Sequence, residues 1–277
     1  MHVSILSIIC MAISACISIG LPIVLFVYFR KKYSAKYLPM IIGAAAFIIF
    51  VLVLERSVHL LVFAKTALKE NPVLYIVYGV LMAGVFEESA RFICFNIVKK
   101  KYDGIGAALS YGVGHGGIEA ILLSGVAMVT NIVFCVILNT GNAEVLTGKL
   151  QGSALDKMNE AIHTLVSSVP YLFLLSGIER ILAICTQLSL SVLVFYSVYG
   201  KNRYGKNRTW LFPLAILLHA IIDIPAAAAQ AGVLKSILLI EGIVGVCAIA
   251  VVLLAMSVHK KLRGALLLSY TGSNKII

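Results

Sequence analysis

Residues 37–54 read YLPMIIGAAAFIIFVLVL, eighteen consecutive positions without a charge. An uninterrupted apolar stretch of about 18 or more residues is long enough to cross the hydrocarbon core of a bilayer as a helix. In lipid the backbone must satisfy its hydrogen bonds within its own segment, so such a stretch forms a helix. This stretch therefore predicts a membrane span rather than part of a soluble core.

The same kind of segment recurs along the chain. The apolar segments cover roughly residues 4–29, 37–63, 72–98, 104–138, 167–199, 210–231 and 235–258. The fourth is too long for one straight crossing and is rich in glycine, so we expect one long, tilted or kinked helix packed closely against its neighbours. The sequence therefore predicts an all-α, polytopic membrane protein of about seven transmembrane helices, with a single integral membrane domain over residues 1–277.

Composition agrees with this fold class. The hydrophobic residues make up 61% of the chain and the charged residues only 13%, about half the charge of a typical soluble domain. A soluble enzyme, a disordered protein and a secreted disulfide scaffold are therefore excluded. The net charge of +11 does not indicate nucleic acid, because the cations form short clusters between the apolar segments.

The cations also predict the orientation of the chain. Fifteen lysines and arginines fall in one set of alternate loops and termini, and five fall in the other. Cytoplasmic loops carry the excess of lysine and arginine. We therefore expect the N-terminus outside and the C-terminus in the cytoplasm, in a multi-pass protein of the plasma membrane.

The one sizeable loop, residues 139–166, lies on the outer side in this topology. It carries Leu155, Met158, Ile162 and Leu165 at spacings of three or four residues, with polar residues between them. This pattern predicts a short amphipathic helix on the outer interface, either a connector or a gating element.

Ionisable residues within the spans are costly and by default mark a functional site or a buried pair. Glu87, His115 and His219 lie 11 or 12 residues from the inner boundary of their spans. At 1.5 Å per residue, each is about 17–18 Å deep. Three helices therefore carry these groups to one depth near the middle of the bilayer, and we expect them to converge.

Spacing within each span supports convergence. Glu87 and Arg91, His115 and Glu119, and His219 and Asp223 are each four residues apart, so each pair shares one helix face. A carboxylate and an imidazole can activate water, and a second imidazole with a polar neighbour can stabilise an oxyanion. The alternative is a purely structural polar network.

Two further Glu-Arg pairs lie in the outer halves of their spans, Glu55-Arg56 and Glu179-Arg180. Adjacent pairs of this kind on two helices can pair with each other, so we interpret them as structural ion pairs.

Three short strings carry a resemblance to a known family. They are Glu87-Glu88-Ser89-Ala90-Arg91, then Tyr111-Gly112-Val113-Gly114-His115, then His219-Ala220-Ile221-Ile222-Asp223. They resemble the EExxxR, FxxxH and HxxxN/D motifs of the CAAX-protease and bacteriocin-processing superfamily of glutamic-type intramembrane proteases. The chain more closely resembles the YhfC-type membrane peptidases. Here the first motif is one residue shorter, and Tyr111 replaces phenylalanine.

The resemblance implies an intramembrane endopeptidase whose catalytic core covers roughly residues 72–138 and 167–231. It implies that Glu87, with Glu88, and His115 activate water, and that His219 and Asp223 stabilise the oxyanion. Arg91, Tyr111 and Glu119 would support them. No metal is needed in this account, and the substrate would be a membrane-associated protein or peptide.

Two alternatives remain open. His115, Glu119 and His219 form a set of ligand types that zinc accepts, which would make the protein a metal-dependent peptidase on the same residues. A non-catalytic membrane scaffold or a proton-coupled transporter could also use the polar cluster. A transporter would tend to show a motif repeated in two halves, and the sequence shows none. In every case we expect contacts with membrane lipid and none with nucleic acid.

Overall fold

A computed structural model describes residues 2–204 and 207–273, and every regular element in these two ranges is helical. Seven helices in that part of the chain are long and apolar enough to cross a membrane, which confirms the predicted multi-pass, all-α fold. They are α1 (Ile5–Tyr33), α2 (Tyr37–Lys65), α3 (Pro72–Val98), α4 (Ile105–Asn139), α6 (Pro170–Tyr204), α7 (Leu211–Gln230) and α8 (Ile237–Ser273), and a shorter helix, α5 (Gly152–Ser167), lies between α4 and α6.

The predicted orientation of the chain stays a prediction. Two of the fifteen cations behind it, Lys206 and Lys275, and both terminal residues, Met1 and Ile277, lie outside the described residues. The helix bounds and the parity of seven crossings are consistent with it, since an odd number of spans puts the two termini on opposite sides.

The fold divides into two compact units, one of Met1–Val24 with Glu119–Ile181 and one of Leu25–Ile118 with Leu182–Ile277. Each unit has its own apolar cluster, with Met11 and Cys135 buried in the first and Phe95 buried in the second. The prediction of a single membrane domain over the whole chain remains to be tested.

Helix α5 belongs to the first unit and corresponds to the predicted amphipathic helix. Ile162 and Leu165 are buried, Leu155 and Met158 are half-buried, and the polar positions between them are exposed. Met158, Ile162 and Leu165 pack in the same cluster as the buried residues of α4 and α6. The helix and its buried face are therefore confirmed.

Helix α3 places the first motif in the second unit. The helix begins at Pro72, where a missing N–H costs nothing. Asn71 Oδ1 caps it by accepting hydrogen bonds from the backbone N–H groups of Val73 and Leu74, each at 3.1 Å. Helix α7 crosses α3 at Gly84, where an added Cβ would lie 2.7 Å from the carbonyl oxygen of Ile216. This close approach brings the third motif beside the first.

Helices α2 and α4 approach equally closely. A Cβ at Gly43 of α2 would collide with the carbonyl of Tyr111, and a Cβ at Gly114 of α4 would collide with the carbonyl of Met40. Small residues allow helix backbones to touch in this way within a membrane. The predicted close packing of the glycine-rich fourth span is confirmed at this crossing.

Two spans contain π-helical segments, Phe47–Glu55 in α2 and Ile121–Gly125 in α4. Helix α4 is one element of 35 residues, as predicted for the fourth segment. Its π-helical segment interrupts the regular α-helical geometry. Such segments are rare and frequently accompany functional sites. The segment in α2 brings Phe47 against the ring of His115, edge to face, with the ring centroids 5.3 Å apart.

Candidate active site

A buried acid and a buried imidazole form the centre of the site. Nε2 of His115 lies 2.9 Å from Oε2 of Glu87, and both side chains are buried in the second unit. The ring of Tyr111 stacks against the His115 ring from one turn earlier in α4. Nδ1 of His115 is buried and has no hydrogen-bond partner among the residues that the structure describes, so within this part of the chain it is Glu87 that orients the imidazole by hydrogen bonding.

The second imidazole approaches the same carboxylate from α7. Nε2 of His219 lies 3.8 Å from Oε1 of Glu87 and 3.5 Å from Oδ2 of Asp223. The Asp223 side chain is 36% exposed, whereas His219 is buried. The structure therefore brings Glu87, His115 and His219 together around one carboxylate, with Asp223 at the edge where the cluster is open.

Glu88 fixes the orientation of His219. Nδ1 of His219 lies 2.7 Å from Oε1 of Glu88, and Glu88 is fully buried. An ionised carboxylate only accepts hydrogen bonds, so Nδ1 carries the proton in this contact. The other ring nitrogen, Nε2, is thereby directed at Glu87 and Asp223.

Arg91 lies beside the two adjacent glutamates and pairs mainly with Glu88. Its guanidinium is fully buried and donates hydrogen bonds to Glu88 and to Gln187. Its separation from Glu87 is larger, with 3.8 Å between Nη2 and Oε2. The shortened first motif thus places the arginine mainly on Glu88, and Arg91 acts on Glu87 mainly through the neighbours Glu88 and Gln187.

Gln187 of α6 completes the network and was missed by the sequence reasoning. Its Nε2 donates to Oε2 of Glu87 at 2.9 Å, and its Oε1 accepts from Arg91. A Cβ at Gly116 would lie 2.8 Å from the Cβ of Gln187, so this glycine makes room for the amide. A signal was available, because polar side chains inside spans usually face the interior of a helix bundle.

The outer Glu-Arg pairs differ from their predicted arrangement. Oε1 of Glu55 lies 3.2 Å from Nε2 of His59, four residues later in the same helix. In the first unit, Arg180 pairs with Glu179 and with Glu119, whose Oε1 lies 3.1 Å from Nη1. The partner of Glu55 is therefore a histidine of its own span, because residues four apart on a helix meet without any contribution from tertiary packing.

The donor chemistry of the site suits a metal ion as well as a proton. Glu87 and His115 offer ligand atoms within 4.8 Å of each other, and His219 and Asp223 add a nitrogen and a carboxylate. Imidazole and carboxylate are ligands that zinc accepts. Glu119, the third ligand in the sequence-based zinc alternative, lies one turn after His115 in α4.

Comparison with known proteins identifies the family. Residues 17–244 match the model of the YhfC intramembrane metalloprotease family. The chain belongs to this family. An uncharacterized membrane protein YhfC of Bacillus subtilis (strain 168) is 38% identical over 246 residues, which cover 86% of this chain and 91% of that protein. No solved structure matches the chain.

The family match covers the spans that carry the three motifs. Glu87, His115 and His219 all lie inside residues 17–244, so the predicted YhfC-type resemblance is confirmed. The description of the family as metalloproteases is compatible with the alternative that the sequence left open, a metal-dependent peptidase on the same residues.

Proposed function

We propose that this protein hydrolyses peptide bonds in membrane-embedded segments of its substrates, at the centre formed by Glu87, His115 and His219. The observation that carries the proposal is the 2.9 Å contact between His115 Nε2 and Glu87 Oε2, buried within two apolar spans. Family membership supports the same reaction class. An acid and an imidazole in direct contact can accept a proton from water and return it to a leaving amine.

The network assigns a separate task to each carboxylate. Oε2 of Glu87 is held by His115 and Gln187, which leaves Oε1 on the side of His219 to accept a proton from water. Glu88 is occupied by Arg91 and His219, so its task is to orient the imidazole rather than to react. We therefore assign Glu87 as the general base and Glu88 as a positioning residue.

His219 and Asp223 are assigned to the opposite side of the reacting group. With its proton on Nδ1, a neutral His219 presents a lone pair at Nε2 to Glu87 Oε1 and Asp223 Oδ2. Three acceptors would then face one another, which is unfavourable unless a cation lies among them. A proton on Nε2 makes His219 a donor to an oxyanion, and a divalent metal ion, if bound here, would supply the positive charge that these residues call for.

The residues fit the metal ion that the family description implies. His115 and His219 would hold it through Nε2, with Glu87 or Asp223 as a carboxylate ligand and Glu119 as the candidate predicted from sequence. A carboxylate on the other ring nitrogen of a metal-binding histidine, as Glu88 is on His219, is a common outer support. When bound, such an ion would polarise the scissile carbonyl and help to ionise water.

Cleavage in reconstituted membranes tests the proposal. The purified full-length protein is placed in proteoliposomes with a library of peptides that each contain a transmembrane helix, and new N-termini are read by mass spectrometry. Glu87→Gln keeps the shape of the side chain and removes the base, so cleavage should fall by about 10²–10⁴-fold. Glu70→Gln, an exposed carboxylate before α3, is the matched control. Equal cleavage by wild type and Glu87→Gln, or none by wild type, would refute the proposal.

Zinc content separates the two versions of the mechanism. In the metal-dependent version the protein equilibrated with zinc retains it, His219→Gln lowers the retained zinc, and a chelator abolishes cleavage until zinc is restored. In the glutamic-type version the protein retains no zinc and cleaves in the presence of a chelator. His59→Gln, which alters a histidine paired with Glu55, is the control for zinc bound elsewhere.

A further inference from the structure

A groove in the second unit lies apart from the catalytic network. It encloses about 370 Å³ and is lined by residues of α1, α4, α6 and α8. This volume falls in the range of small-molecule sites, about 300–1,000 Å³. None of Glu87, His115 or His219 lines it, so the groove is a separate feature of the fold.

The groove runs along the helices rather than across them. Its lining residues on α6 extend from Cys185 to Val192, and those on α8 extend from Val252 to His259. Seven residues of helix span about 10 Å. A groove along the axes of membrane spans has the direction of a lipid acyl chain in the surrounding bilayer.

The two ends of the groove differ in chemistry. The end nearer the bilayer centre is lined by apolar side chains such as Leu188 and Val252. The other end is lined by Tyr28, Tyr33 and His259, close to the ends of their spans. Aromatic side chains with a polar tip are typical of the membrane interface, where lipid head groups lie.

A lysine is held at the aromatic end. Nζ of Lys32 donates a hydrogen bond to the hydroxyl of Tyr28 at 2.7 Å. The same ammonium lies 5.3 Å from the centroid of the Tyr28 ring and 5.6 Å from that of Tyr33. Both rings line the groove, so the cation is placed at the mouth by the lining itself.

Two more cations follow the lining on α8. Lys260 and Lys261 are exposed and come directly after His259. The acidic residue nearest in sequence to the lining is Asp103, which leaves the balance of charge at this end positive. Basic pockets between spans, at the head-group level, are suited to anionic lipids.

We propose that this groove binds an anionic phospholipid, with one acyl chain among α1, α4, α6 and α8 and the phosphate at Lys32, Lys260 and Lys261. The apolar length selects a hydrocarbon chain, and the cations select the charge of the head group. The interaction does not depend on catalysis, so it can be tested whether or not the protein cleaves peptides.

Competition between two lipids tests the proposal. The full-length protein in detergent is incubated with an equimolar mixture of phosphatidylglycerol and phosphatidylcholine of identical acyl chains, and retained lipid is counted by native mass spectrometry. A lysine near the head group contributes about a fivefold preference for an anionic lipid. Wild type should therefore retain at least about five times more phosphatidylglycerol, and Lys32→Ala should lower this preference about fivefold. Lys235→Ala, an exposed lysine just before α8, should leave it unchanged.

A second pair of variants tests the acyl chain. Val252→Trp fills the apolar end and should lower the retention of both lipids. Val246→Trp adds the same side chain at a position of α8 that is 70% exposed, and should retain lipid as wild type does. Equal retention of the two lipids by wild type, or an equal loss with Lys235→Ala and Lys32→Ala, would overturn the proposal. Unchanged retention by Val252→Trp would exclude this groove as the site.

Discussion

Arg91→Met should destabilise the protein more than any exposed charge substitution. The guanidinium is fully buried and hydrogen-bonds to Glu88 and Gln187. A hydrogen bond to a charged group contributes about 1.5–3 kcal/mol, so two such bonds contribute about 3–6 kcal/mol. Removing one partner of a buried ion pair costs about 3–5 kcal/mol. Glu88 would keep its contact with His219. We therefore expect Arg91→Met to lower the free energy of unfolding by about 3–4 kcal/mol, the lower part of both ranges.

The measurement is denaturant unfolding in detergent micelles, with Arg56→Met as the matched control. Arg56 is also an arginine within a span, but its side chain is exposed, and a charge exposed within a span is itself costly, so its loss should not destabilise the protein. Combining Glu88→Gln with Arg91→Met removes the charge left behind and should recover part of the loss. An Arg91→Met protein as stable as the Arg56→Met protein would show that the buried network does not stabilise the fold.

Three other predictions follow from the fold and the site. Gln187→Leu removes the amide that holds Glu87 and should lower kcat for peptide cleavage about 10-fold or more, with KM little changed. Gln187→Asn should recover less than full activity because its side chain is one carbon shorter. An unchanged kcat in Gln187→Leu would remove Gln187 from the mechanism. Gly114→Ala places a methyl group against the α2 backbone and should cost about 1–3 kcal/mol in unfolding experiments, whereas Gly79→Ala, with no atom within 4 Å of the added carbon, should cost nothing. Reporter fusions should place residue 34 in the cytoplasm and residue 150 outside, and a cytoplasmic residue 150 would contradict the charge-based topology.

The spans were predictable because the bilayer imposes a strong and simple constraint. The first six predicted segments begin and end within about five residues of the observed helices, as Pro72–Val98 illustrates, because about 20 apolar residues in lipid have no alternative to a helix. The seventh was predicted to end at residue 258, whereas α8 continues to Ser273. The amphipathic helix α5 was predictable for a similar reason. Its apolar residues recur at helical spacing, and only one face can be buried.

The convergence of the site residues was predictable in outline. Equal depth on three spans placed Glu87, His115 and His219 in one layer, and the cost of a charge facing lipid turned them toward one another. The hydrogen-bond partners of these residues were harder to predict from the sequence. Arg91 is three residues from Glu88 and four from Glu87, so both carboxylates were within its reach. In the structure Arg91 hydrogen-bonds to Glu88 and also to Gln187 of another helix. Sequence periodicity does not specify such a contact between helices.

Gln187 and Glu55 show two ways in which the sequence reasoning fell short. A neutral amide costs less in lipid than a charge, so ranking residues by the cost of their charge passed over Gln187. Glu55 and Arg56 were taken as a unit because they are adjacent. His59, four residues later, lies on the same helix face as Glu55, and Glu55 pairs with it.

The crossing of α2 and α4 has a consequence for how a substrate reaches the base. At Gly43 and Gly114 the two backbones are in contact, with no side chain between them that could swing aside. Opening a passage there would require the two main chains to separate along their length. Asp223, in contrast, is partly exposed and faces His219 across 3.5 Å. In the proposed function a polypeptide would therefore reach Glu87 past Asp223, and bulk introduced beside this aspartate should obstruct its path.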